Sequence, residues 1–212
     1  MTKYYDRNNK LLWEDKGDGD YTLVVDHKNI APCMDQATVA IEDKDFYKHG
    51  GISISGIMRA LLSNAQGNAV QGGSTLTQQL IKQVFFRDEA AKRGLAGIPR
   101  KIKEIILAVE VERMYSKDQI LGLYLNESPY GGRRNGVESA AQTYFGKSSK
   151  DLNLSECALL AAIPNNPSAY NPYNIAGRNA LLARQRKVID NMVEMKYISK
   201  EQANQAKSVA IM

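Results

Sequence analysis

Residues 100–115, RKIKEIILAVEVERMY, leave a folding chain few choices. Ile102, Ile105, Ile106, Leu107, Val109 and Val111 occupy so much of a helical circumference that the segment reads as a helix buried among others. Glu104 falls about 200° around that helix from Ile102, yet beside Leu107 and Val111. Burying an unpaired carboxylate costs several kcal/mol, so Glu104 needs a partner. Arg100, one turn earlier, is within reach. Two readings stand side by side: an ion pair that supports the helix, or a carboxylate lining a cleft between two lobes.

The rest of the chain also reads as helices. Ser116-x-x-Gln119 is a capping box, and looser versions recur at Asn153-x-x-Glu156 and Ser199-x-x-Gln202. Pro32 suits a first helical position, with Met34, Ala37, Ala40 and Ile41 following at helical spacing to His49, where Gly50-Gly51 stops it. Ile52 opens a short helix followed by a polar loop. Ser74 is expected to cap a helix through Phe86, which Gly94, Gly97 and Pro99 then separate from the next. Pro164, Pro167 and Pro172 make IPNNPSAYNP a rigid, extended loop. Only the first 25 residues, with their β-rich runs broken by Asn-Asn and Gly-Asp-Gly, read as a hairpin or extended arm. The fold class is mainly α, and 212 residues suit one domain or two small lobes around a shared core.

Charge narrows the partners. Twenty-eight basic against 23 acidic residues give +5, which suits nucleic acid, a phosphorylated substrate or an anionic membrane surface. No basic–aromatic motif supports nucleic acid. Cys33 and Cys157 are too few and too distant to imply a disulfide framework, and with His27 and His49 they form no metal-spaced cluster. They are expected as two buried thiols. No apolar run is long enough to span a bilayer.

Two stretches carry chemistry. In GGSTLTQQLIK, Thr75, Gln78, Gln79 and Lys82 share one helical stripe, and amides with one ammonium suit a sugar–phosphate ligand. A solvated helix face is the competing reading. AIEDKDFYKHGG, residues 40–51, crowds acids, aromatics and a histidine before two glycines. Glu42 and Glu104 would face one another across a groove floored by the Thr/Gln stripe, and paired carboxylates equip a site for reaction at an anomeric carbon.

Five blocks in order resemble the peptidoglycan glycosyltransferase domain of class A penicillin-binding proteins and monofunctional transglycosylases. They are EDKDFYKHGG, GGSTLTQQLIK, RKIKE, KDQILGLYLNESPYG and ALLAAIPNNPSAYNP, together spanning about residues 25–175. The resemblance implies a lysozyme-like, two-lobed helical domain, a large head and a smaller membrane-proximal jaw. It divides the chain into an N-terminal β arm (1–25), a catalytic domain (26–176) and a C-terminal helical segment (177–212) leading towards a second domain. The leading YYDRNNKLLWE is similar to the stretch before this domain in bifunctional members, so a piece of a longer chain is expected.

What the resemblance implies about chemistry is specific. The family polymerises lipid II, a disaccharide-pentapeptide on a polyprenyl pyrophosphate, into glycan strands. Glu42 would be the general base that takes the proton from the acceptor's 4-hydroxyl, with inversion at the donor, helped by partial burial against Phe46. Glu104 would be the second essential carboxylate, positioning the donor or a divalent ion such as Mg2+ or Mn2+. Lys82, Arg100 and Lys101 would grip the pyrophosphate, and Ser74, Thr75, Gln78, Gln79 and Asn126 would line or brace the sugar sites. Asp43 and His49 read as structural, or with Phe46 as part of the substrate-binding surroundings of Glu42. The connection between Lys82 and Arg100 is longer than the family leads one to expect, and Arg87 and Arg93 compete for its phosphate-contacting arginine. With Val84, Phe85, Phe86, Leu95 and Ile98 it would form a flap dipping into lipid, or a loop packed on the protein. Partners by resemblance are lipid II, the growing strand, the membrane surface and the cell-wall synthesis machinery. The location would be the extracytoplasmic face of the bacterial cytoplasmic membrane, with an anchoring helix outside this sequence. Moenomycin blocks the family. A lysozyme-like hydrolase and an inactive saccharide-binding scaffold are the rival readings.

Overall fold

A computed structural model describes residues 2–15, 21–58, 73–89 and 94–209. The chain opens as an antiparallel hairpin, β1 (Thr2–Tyr5) on β2 (Leu11–Asp15), with Tyr4 opposite Trp13. Its turn is held by Asp6 Oδ1, which accepts from the backbone of Asn8 and Lys10, and Asn9 supplies the left-handed residue. A two-residue strand, β3 (Tyr21–Thr22), runs parallel to β4 (Arg134–Asn135).

Everything else is helix and turn: α1 (Pro32–Glu42), α2 (Leu76–Phe85), α3 (Ile98–Met114), α4 (Lys117–Glu127), α5 (Val137–Phe145), α6 (Leu154–Ala162), α7 (Arg178–Glu194) and α8 (Lys200–Ser208). Residues 54–58 are also helical. The mainly α expectation holds. The centre is α6, whose LSECALLAA is buried from Cys157 onward; α1 and α7 pack on it, and α8 packs on α7. A second group forms where α2 packs on α3 and α4. Capping boxes start α4, α6 and α8, as their sequences foretell.

Five expectations need correction. First, α1 stops at Glu42 rather than His49, because Asp43 turns out of the helix (φ −157°) to spend its carboxylate elsewhere. Second, Thr75, not Ser74, caps α2, its Oγ1 accepting from Gln78 N at 3.2 Å. Third, α3 is not buried all round: Glu104 and Ala108 are its buried residues, while Ile102 and Ile106 are 53% and 59% exposed. Apolar periodicity marks a face that avoids water or meets something other than protein, and it cannot tell the two apart. Fourth, IPNNPSAYNP is not extended; it is a 3₁₀ turn (Ile163–Asn165) followed by tight turns, with Tyr170 N bonding back to Asn166 O. Fifth, Cys33 and Cys157 are not free thiols but a disulfide, joining the first turn of α1 to α6. Among the described residues, no helix is long and apolar enough to cross a membrane.

Candidate active site

Glu42 is the last residue of α1, where the helix dipole disfavours a negative charge. Two donors compensate. Arg184 Nη2, from α7, reaches Oε1 at 3.0 Å, and Gln79 Nε2, from α2, reaches Oε2 at 3.0 Å. Each donor is itself fixed. Arg184 Nε donates to Ala162 O at 3.0 Å, and its guanidinium lies 6.0 Å from the Tyr170 ring. Gln79 Oε1 accepts from Tyr124 Oη at 3.3 Å, which settles the amide's orientation. Burial, then the Glu42 charge, pushes the Tyr124 phenol well above its usual range, so it remains a donor.

The neighbouring groups build the loop that follows. Asp43 accepts from His49 Nε2 at 3.0 Å and from Leu76 N at 3.0 Å, placing an anion on the N-terminus of α2. Phe46 is fully buried and meets Tyr47 and His49 edge-on, so it is a core aromatic. Lys117 Nζ donates to His49 O at 2.6 Å, sits 4.4 Å from the Phe46 centroid and pairs with Glu112 at 2.6 Å; Glu112 also accepts from Thr77 Oγ1. Gly51 (φ +84°) closes the loop so tightly against α3 that a Cβ would lie 2.9 Å from the Ala108 backbone.

The Thr/Gln stripe is engaged rather than solvated. Thr75 Oγ1 and Gln78 Nε2 both donate to Gly51 O, at 2.9 and 2.8 Å. Gln78 Oε1 accepts from Lys101 Nζ at 2.8 Å, and the same ammonium donates to Ser74 Oγ at 2.8 Å and pairs with Glu104 at 3.2 Å. Arg100 pairs with Glu104 as expected from their spacing. Burial pulls the Lys101 ammonium below its ordinary value, Glu104 opposes that, and Lys82 and Arg100 add to the pull. Gln79 thus holds Glu42, while its neighbour Gln78 holds the Lys101–Glu104 cluster. A single turn of α2 ties the two acids together.

Asn126 is placed differently from the rest. Its amide is spent on the backbone of Val25 and Gly122, so it braces the segment before α1. Arg87 lies exposed just past the end of α2, and Arg93 lies outside the described residues. Glu104 carries two cationic side chains, and no group of three His, Cys, Asp or Glu among the described residues could hold a metal. Both Glu104 oxygens are held by cationic side chains, so the chemistry of this site is carried by the ammonium and guanidinium groups.

Sequence reasoning missed Arg184 and Tyr124. Arg184 had a usable signal: it sits in the buried spacing Leu181, Gln185, Val188, where a lone arginine asks for an acid. Tyr124 had none, being one apolar-face residue among Ile120, Leu121 and Leu125.

A protein-family model described as Transglycosylase matches residues 9–193. The chain is 38% identical over 211 residues to penicillin-binding protein 1A of Clostridium botulinum (strain Langeland), covering 92% of this chain and 25% of that protein. To penicillin-binding protein 1A of Clostridium perfringens (strain 13) it is 40% identical over 211 residues, covering 92% and 30%. To that of Neisseria gonorrhoeae it is 42% identical over 171 residues, covering 80% and 20%. The crystal structure of penicillin-binding protein 1A from Haemophilus influenzae superposes with a TM-score of 0.55 at 25% identity, over 99% of this chain and 20% of that one. The chain thus spans 20–30% of the length of these relatives.

Proposed function

The chain belongs to the transglycosylase family, and on that premise we propose that it is a peptidoglycan glycosyltransferase that extends glycan strands from lipid II. The acceptor's 4-hydroxyl attacks the anomeric carbon of the lipid-linked donor strand and gives its proton to Glu42. The bond from that carbon to the pyrophosphate oxygen breaks, with inversion, and the pyrophosphate leaves already anionic. It needs charge stabilisation more than a proton, a task that suits Lys101, Arg100 and Lys82. Glu104 holds Arg100 and Lys101 in place.

The observation that carries this reading is the tether between the two acids. Glu42 is gripped through Gln79, and the cationic cluster around Glu104 is gripped through the adjacent Gln78. A hydrolase acting on preformed glycan would have no use for a cluster of three cations. The exposed apolar stripe Ile98, Ile102 and Ile106 of α3, with Val84 and Phe85 also exposed at the end of α2, supports a membrane surface as partner. It lies about 200° around α3 from the buried Glu104 and Ala108, which puts lipid and carboxylate on opposite sides of one helix. The Cys33–Cys157 bond suits the extracytoplasmic face, where disulfides persist.

The test is a gel assay for polymer from purified lipid II, with moenomycin as the inhibition control. Glu42→Gln is expected to lower polymerisation by about 10²–10⁴-fold, with unfolding temperature and donor binding near those of the parent chain. Undiminished polymerisation in that variant would remove Glu42 as the base. Release of fragments from preformed glycan, without lipid-linked donor, would replace synthesis by hydrolysis.

A further inference from the structure

Two turns, 129–136 and 164–173, pack against each other and display a cation among tyrosines. Arg134 Cζ lies 5.6 Å from the ring centroids of both Tyr144 and Tyr173, and those rings are 5.5 Å apart. Both phenols are tied down: Tyr144 Oη donates to Tyr130 O at 2.6 Å, and Tyr173 Oη donates to Thr143 O at 3.1 Å. The backbone makes room for this arrangement. At Gly132 (φ +62°) a Cβ would sit 2.5 Å from Arg134 Nη1, and at Gly131 (φ +91°) one would sit 2.9 Å from Pro167 O.

A rigid aromatic–guanidinium cluster on a surface is a recognition device, because little ordering entropy is lost when something binds it. Tyr173 is 63% exposed, and no carboxylate among the described residues pairs with Arg134. The same turn connects the cluster to the reaction: Tyr170 lies against Arg184, which holds Glu42, and Tyr173 follows three residues later.

We infer that Arg134, Tyr144 and Tyr173 form a subsite for the glycan strand beyond the sugars that react. The open face of Tyr173 stacks on a sugar ring, and Arg134 takes a carboxylate of the peptide that the strand carries. This rests on the glycosyltransferase reading and adds to it a handle on the substrate remote from the bond being made.

The probe is a soluble, lipid-free glycan oligomer bearing its peptides, compared with the same oligomer stripped of them, in binding to the whole chain. The peptide-bearing oligomer is expected to bind more tightly. Arg134→Gln should erase that difference, weakening it about tenfold or more. Tyr173→Leu should weaken both oligomers to a similar degree, while Tyr173→Phe, which keeps the ring but loses its tie to Thr143, should fall between Tyr173→Leu and the parent chain. If a variant does not fold, titrating the parent chain while following the Tyr144 and Tyr173 ring resonances decides: shifts on saturation support the subsite, and unmoved rings overturn it. Equal binding of both oligomers to all folded variants overturns it as well. These outcomes separate from those of the polymerisation assay, since oligomer binding needs no turnover. A chain that binds oligomer through Arg134 but makes no polymer would refute the synthase reading and leave the subsite standing.

Discussion

At the scale of single residues, Glu42 occupies a place that a helix makes unfavourable for an anion, and Arg184 is the group that offsets it. Arg184 lies 142 positions away in the chain and touches no part of the proposed reaction except through that carboxylate. Arg184→Gln should therefore lower kcat by about 10–10²-fold while leaving KM for the lipid-linked donor nearly unchanged, a split readable in initial-rate kinetics. Glu138 makes a different point. Burial disfavours its charge, but hydrogen bonds from Ser149, Gln142 and Ser148 outweigh burial and hold its carboxyl below the usual carboxylate range. Its ionised form is favoured in the folded chain, so its contribution is complete above the unfolded carboxylate value, about 4.3, and fades as pH falls through the lower folded value. Glu138→Gln should flatten the acid limb of the stability–pH curve, as followed by urea unfolding between about pH 5 and pH 2. Of these residues, Glu42 was legible because its acidic, aromatic neighbourhood is unusual in a short span. The Arg100–Glu104 pair was legible from spacing alone. Arg184 was legible only in part: an arginine next to an apolar stripe asks for an acid, but nothing local says that the acid lies 142 positions away.

Among the elements, the segment between α1 and α2 is built by polar groups that each serve two helices. Asp43 leaves α1 to cap α2, and Lys117, the first residue of α4, reaches back to the carbonyl of His49 while pairing with Glu112 on α3. Removing Lys117 strands a buried carboxylate. Lys117→Met should cost about 2–3 kcal/mol, somewhat below the 3–5 of a fully buried pair because the lysine keeps partial access to water. Thermal unfolding checks this, and the double variant with Glu112→Gln should recover part of the loss. Helix starts were plain in the sequence wherever a cap and its third neighbour both belong to the local code, as at Ser116, Asn153 and Ser199. The end of α1 and the cap of α2 were misplaced for one shared reason. Asp43 and Ser74 have local uses that the sequence suggests, but tertiary partners, Leu76 and Lys101, claim them instead.

For the molecule as a whole, the periodicity of α3 announced a helix hidden from water without revealing what would hide it. Protein covers Glu104 and Ala108, while the stripe of Ile98, Ile102 and Ile106 faces outward, and Val84 and Phe85 at the end of α2 are exposed as well, the last 63%. If that stripe lies on lipid, Ile102→Ser with Ile106→Ser should reduce binding to phospholipid vesicles in a flotation assay by about 10–10²-fold, since each side chain is about half exposed and burying that half is worth about 1 kcal/mol or slightly more. Unfolding temperature should barely move, because neither side chain packs in the core. The bond between Cys33 and Cys157 bears on the chain's fate rather than its chemistry. It closes a ring of 124 positions that contains Glu42, Gln79, Lys101 and Glu104 and leaves Arg184 outside. A protease that severs any one peptide link inside that ring yields two polypeptides still fastened by sulfur, which part company only when a thiol reductant reaches them.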